Sequence, residues 1–240
     1  MNDRSSGRGG GFDGAAAVTR SLLGWGVVAG GFYLAVGITL GLTRTGFDFA
    51  RHALSQLMLG HLGWAQMANL ILSGLMTLAA AAGFRRAMRG SRGATAASLL
   101  VGAYGVCLVA AGIFPPDPMA GFPPGSSSGA VSLSGVLHLA FGAVGFLSLV
   151  GATFVVAGWA ARRGDAGFAR YSRISGIVVV LGFAGGAALA TSTSGVVGLW
   201  IAVVAGWMWL AVASVVLYRT VPHPDAHRRA ADGPAAVPLA

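Results

Sequence analysis

Six long apolar runs, near residues 21–42, 64–83, 94–114, 134–158, 174–192 and 197–218, limit what this chain can fold into. A helix rises about 1.5 Å per residue, so about 20 residues cross a hydrocarbon core about 30 Å thick. Each run is long enough, the fifth at the short end. In lipid every backbone N–H and C=O must be satisfied within the protein, which leaves helices or closed barrels. Barrel strands alternate polar and apolar side chains, and these runs do not. The expectation is an all-α polytopic membrane protein, with six transmembrane helices in one bundle. Composition agrees: 55% of the residues are hydrophobic and 10% charged, where a soluble domain carries about 25% charged residues.

The net charge of +9 taken alone would suggest a polyanionic partner. Its distribution argues instead for topology. Arg4, Arg8 and Arg20 precede the first run. Arg85, Arg86, Arg89 and Arg92 follow the second, and Arg162, Arg163, Arg170 and Arg173 follow the fourth. Arg219, Arg228 and Arg229 follow the sixth, and only Arg44 and Arg51 fall on the other side. The positive-inside rule then places both termini in the cytoplasm of a cell membrane protein. Lipid is the expected partner and nucleic acid is not. The first run exceeds a signal-peptide core and is followed by "GLTRTGF", with no A-x-A-like site, so it is expected to stay as an anchor. Residues 1–20 and 219–240 read as disordered cytoplasmic tails around a six-helix domain at 21–218. All basic residues are Arg and all acids Asp, the mark of GC-rich coding. The one cysteine, Cys107, reads as a small apolar packing residue.

The remaining polar chemistry gathers at the opposite, outer end. "DFARHALSQLML" spaces Ala50, Ala53, Leu54, Leu57 and Met58 as on a helix, with Asp48, Arg51, His52, Ser55 and Gln56 on the other face. This predicts a short amphipathic helix lying on, or tucked into, the outer boundary, between helices 1 and 2. Gln66, Asn69 and Ser73 fall at i, i+3 and i+7 of the second run, a face expected to point into the bundle. In the fourth run Ser134, His138, Gly142 and Gly145 share a face, with His138 one turn inside the membrane. An ionisable group at that depth is a functional-site candidate. Between the third and fourth runs, "AGIFPPDPMAGFPPGSSSG" packs five of the nine prolines into ten residues around Asp117. Proline restricts its own φ and the preceding residue, so the collar is expected to hold Asp117 at the boundary. There it would meet His138, the amphipathic helix, or both. The candidate polar site is therefore Arg51, His52, Ser55, Asn69, Asp117 and His138.

"RHALSQL", "GWAQMANLILSGLMTLAAAAGFRRA", "AGIFPPDPMAGFPPG" and "SGVLH" together resemble a family of bacterial and archaeal membrane proteins known as domain of unknown function 998. The likeness runs from about residue 20 to 218. It implies a multi-pass helical fold and no activity.

Three functions fit these residues. In a structural, regulatory, lipid-binding or small-molecule-binding protein, the outer cluster knits loops to the bundle or receives a ligand. In a metal-dependent intramembrane hydrolase, His52, His61, Asp117 and His138 would supply zinc ligands, and Asp117, His138, Ser134 and Ser55 the catalytic candidates. Ser134-x-x-x-His138 is similar to an element of the hydrolases related to alkaline ceramidase, but the last span here has no histidine. A small transporter would need polar groups in the inner half of the membrane as well, and few are present. No Walker loop, dinucleotide fingerprint or H-E-x-x-H helix occurs, and one intramembrane histidine cannot ligate haem on both faces.

Overall fold

The computed structural model describes residues 12–126 and 131–225. It contains six long helices: α1 (Gly14–Thr43), α2 (Gly63–Ala87), α3 (Ala94–Ile113), α4 (Leu133–Arg162), α5 (Ala166–Ala188) and α6 (Thr193–Thr220). All six are long and apolar enough to cross a membrane. The expected six-helix architecture is the one observed.

Each helix packs against the next in sequence, and α1 packs against α6 to close the ring. α6 also reaches α2 and α4, and its indoles fill the centre. Trp207 is 2% exposed, with its ring 5.3 Å from that of Tyr33 on α1 and 5.7 Å from that of Tyr104 on α3. Trp209 donates its Nε1–H to Ser172 Oγ on α5 at 3.1 Å. Leu99, Leu139 and Leu181 are each 68% exposed. Three leucines so open on three helices fit a lipid-facing surface and not an aqueous one.

Close backbone approach holds the helices together. A Cβ on Gly74 of α2 would lie 2.7 Å from the Gly105 carbonyl oxygen of α3. The expected small-residue pairs work within the bundle: Gly26 and Gly30 face Ser214 and Trp207, and Gly182 and Gly186 face the backbone of α6. Cys107 is buried against Gly145, as its packing role requires.

The helix ends correct the tail boundaries. α1 begins at Gly14 rather than near residue 21, because Asp13 Oδ1 accepts the Ala16 N–H at 2.9 Å and caps the first turn. Past α6, the Pro224 carbonyl accepts the Asp13 N–H at 2.9 Å, and the Val221 carbonyl accepts from Arg20 Nη1 at 2.9 Å. Residues 14–20 and 221–225 therefore belong to the folded part. Residues 1–11 and 226–240, His227 among them, lie outside the described residues.

The connections alternate between the two ends. One end, the collar end, carries the α1–α2, α3–α4 and α5–α6 connections. The arginine end carries the α2–α3 and α4–α5 connections, the first turn of α1 and the last turn of α6.

The Gly74–Gly105 crossing leaves no room for a branched side chain. Gly74→Val is expected to lower stability by about 1–3 kcal/mol through overpacking, read as a lower midpoint of thermal unfolding in detergent. An unchanged midpoint would mean that this crossing is looser than the backbone distance implies.

Candidate functional site

Pro115 has no N–H, so the carbonyl of Ala111, four residues earlier, loses its intrahelical donor. α4 replaces it. His138 Nδ1 donates to the Ala111 carbonyl at 3.0 Å and to the Phe114 carbonyl at 2.8 Å, which requires the proton on Nδ1. Ser134 Oγ donates to the Pro115 carbonyl at 2.8 Å. Asp117 works in the other direction. Its Oδ2 accepts the Ser132 N–H at 3.1 Å, and a Cβ on Gly135 would strike this carboxylate. A negative charge at a helix N-terminus is stabilising, and Ser132 Oγ completes the cap by accepting the Gly135 N–H at 3.0 Å. The expected meeting of Asp117 with His138 is thus replaced by two separate bonds. His138 closes the end of α3, and Asp117 closes the start of α4.

The proline collar then turns back over the bundle and inserts Phe122, which is fully buried. The turn before it is tight: Phe122 N–H donates to the Met119 carbonyl at 3.0 Å, and Ala120 and Gly121 both have positive φ, +52° and +82°, as in a type I′ turn. The Phe122 ring lies 5.4 Å from that of Phe47, edge to face, and 5.3 Å from that of His52. Arg44 stands over it at 5.5 Å from guanidinium carbon to ring centroid, close enough for cation–π attraction. The same guanidinium donates to the Leu57 carbonyl at 3.3 Å and to the Leu59 carbonyl. Partial burial lowers the Arg44 pKa from its ordinary value.

The α1–α2 connection is not the predicted amphipathic helix. Asp48 to His52 form a turn, followed by a 3₁₀ helix at Leu54–Met58. Local side chains compete for the backbone. Asp48 Oδ1 accepts the Ala50 N–H at 2.8 Å, and His52 Nδ1 accepts the Asp48 N–H at 2.8 Å. His52 therefore carries its proton on Nε2, 3.4 Å from the Ala120 carbonyl, which also accepts from Arg51 Nη2 at 3.2 Å. The two predicted faces do not separate either. His52 and Gln56 are buried together with Leu54, Leu57 and Met58. Of the two expected placements the segment takes the tucked one, as a plug under the collar.

Below it, the polar face of α2 points inward as expected. Gln66, Asn69, Ser73 and also Thr77 are at most 1% exposed. Asn69 Nδ2 donates to the Tyr33 carbonyl at 3.0 Å and to Gln66 Oε1 at 3.1 Å, which fixes both amide orientations. Gln66 Nε2, Asn69 Oδ1, Ser73 Oγ and, from the plug, Gln56 Oε1 have no hydrogen-bond partner among the described residues.

The candidate residues thus fall into three groups. Asp117, Ser134 and His138 join at the α3–α4 junction. Arg51 and His52 meet the collar at Ala120. Asn69 belongs to the buried face of α2. Ser55 is half-buried, and His61 is exposed. Among the described residues, no three or more His, Cys, Asp or Glu side chains are placed to hold a metal ion. The zinc set of His52, His61, Asp117 and His138 is not assembled, because His52, Asp117 and His138 are drawn to separate backbone partners. Phe122 and Thr77 were not singled out from sequence, and Arg44 and Gln56 were named there without a place in the candidate site. For Phe122 a signal existed, an aromatic locked between the glycine and prolines of "GFPPG".

A family model described as a protein of unknown function (DUF998) matches residues 27–217. The chain belongs to this family, and its six long apolar helices make it a multi-pass membrane protein. No curated protein and no solved structure matches it.

Removing the Phe122 ring should release both collar-end connections. Phe122→Ala is expected to cost about 3–5 kcal/mol and to speed amide exchange over residues 44–60. Slow exchange preserved there would show that the α1–α2 connection holds its shape without the collar.

Proposed function

We propose that the collar end is a structural clasp, and that this protein is a non-catalytic membrane protein with a regulatory, lipid-binding or small-molecule-binding role. The observation that carries this reading is the engagement of the would-be catalytic groups. A serine nucleophile needs its Oγ within hydrogen-bond reach of its base. Here Ser134 Oγ and His138 Nδ1 donate to different carbonyls of the α3 end, and Asp117 accepts from α4. The unpartnered buried polar atoms of Gln66, Asn69 and Ser73 support binding over a purely architectural role, because buried polar groups ordinarily have partners. They suit a small uncharged molecule with both donors and acceptors. The arginine distribution supports a cell membrane location with both termini in the cytoplasm.

The test is metal content and thermal stability of detergent-purified wild type beside His138→Ala and Asp117→Ala. A clasp predicts no stoichiometric zinc and no response to chelator. His138→Ala should destabilise by about 1–3 kcal/mol, the cost of leaving buried carbonyls unpaired. Asp117→Ala should cost about 0.3–1 kcal/mol, as for a charge lost from a helix N-terminus. Near-stoichiometric zinc that disappears from both folded variants would establish the hydrolase instead.

A further inference from the structure

At the arginine end, the first turns of α1, the last turn of α2 and the residues that end α6 enclose a cleft of about 260 Å³. Its polar lining is Asp13, Thr19, Arg86, Arg89 and Thr220. The walls are braced. Arg20 bonds the Val221 carbonyl and stands 4.0 Å over the Tyr218 ring, while the Asp13 N–H bonds the Pro224 carbonyl. These contacts hold the end of α6 against the start of α1.

Arg86 is oriented within the cleft. Its Nε donates to Thr19 Oγ1 at 2.9 Å and its Nη2 to the Ala15 carbonyl at 3.2 Å. Thr19 is itself fixed by donating to the Ala15 carbonyl at 2.7 Å. Arg86 Nη1 has no hydrogen-bond acceptor among the described residues, and the exposed Arg89 side chain has none. Asp13 is the one carboxylate in the lining. It caps α1 through Ala16, and no ion pair joins it to either arginine; the ion pair found among the described residues is His223–Asp225. Two guanidinium groups, one of them pre-oriented, therefore share a concave site without an ion-pair partner among the described residues.

Guanidinium forks match the oxygens of phosphate in geometry and charge. The cleft is built from the ends of α1, α2 and α6, outside the apolar runs 21–42, 64–83 and 197–218, and basic residues at the membrane boundary attract anionic lipid headgroups. Its volume falls just under the range of about 300–1,000 Å³ typical of drug-sized ligand pockets, which suits a headgroup and not a large cofactor. We propose that this cleft binds the phosphate of an anionic membrane lipid through Arg86 and Arg89. The chemistry recognised is a phosphate ester anion, and the position at the membrane boundary favours lipid over soluble phosphate as its source. The site is remote from the collar end and stands whether or not the clasp reading holds.

The experiment uses the full chain in neutral detergent. Native mass spectrometry and thermal shift follow its titration with dioctanoyl phosphatidylglycerol, dioctanoyl phosphatidylcholine and inorganic phosphate. The expected result is saturable one-to-one binding of phosphatidylglycerol that raises the unfolding midpoint and weakens with added salt. Arg89→Gln, a change at an exposed side chain that makes no hydrogen bond among the described residues, should bind this lipid about tenfold more weakly, as for a lost charge-assisted hydrogen bond. Arg162→Gln is the control. It removes an arginine from the same end that bonds the Arg92 carbonyl and does not line the cleft, and binding should be unchanged. Equal binding of the two lipids would overturn the proposal, as would wild-type affinity in Arg89→Gln or an equal loss in Arg162→Gln. Binding of inorganic phosphate without binding of phosphatidylglycerol would overturn the lipid source.

Discussion

A missing backbone donor organises the collar end. Pro115 cannot supply the N–H that the Ala111 carbonyl needs, and a carbonyl at the edge of a hydrocarbon core has little water to turn to. His138 and Ser134 on α4 supply the donors. Because they sit one turn apart on the same face, they fix how the start of α4 stands against the end of α3. That placement sets the origin of the collar. The collar in turn carries Phe122 to the ring of Phe47 and His52, under the Arg44 guanidinium. The irregular α1–α2 connection takes its shape from the same contacts.

Inside the bundle a different constraint applies. Lipid offers no hydrophobic drive between helices, so association depends on close packing and on hydrogen bonds across the interface. Gly74 and Gly105 let two backbones meet, and Asn69 bonds the Tyr33 carbonyl of a neighbouring helix. At the arginine end the guanidinium groups combine topology with structure. Arg20, Arg86 and Arg162 each bond a backbone carbonyl of another segment. Arginine suits this work because its fork can hold a carbonyl while keeping its charge at the membrane boundary.

Polar residues near the collar end were legible as a group but not as a mechanism. A histidine one turn inside the membrane beside an acid and a serine fits catalysis, metal binding and helix capping equally well when only spacing is known. What separates these readings is the partner. Spacing along one helix says nothing of which carbonyls on the next helix lack a donor. The amphipathic reading of residues 48–58 failed for a related reason. Helical periodicity counts apolar positions, and it cannot register that Asp48 and His52 take backbone N–H groups for themselves, or that Arg44 holds the carbonyls of Leu57 and Leu59.

The sequence by itself determined the six spanning helices and their number, the inward polar face of α2 and the segregation of arginine to one end. These follow from length, hydropathy and period, which are local properties and which lipid enforces strictly. The tertiary structure decided the partners. It set His138 and Ser134 on the end of α3, Asp117 on the start of α4, and Phe122 beneath Arg44. It also brought Arg86 and Arg89 into a cleft with the ends of α1 and α6. Those pairings join residues far apart in the chain. They depend on which helix stands beside which and on the backbone groups left open at each end.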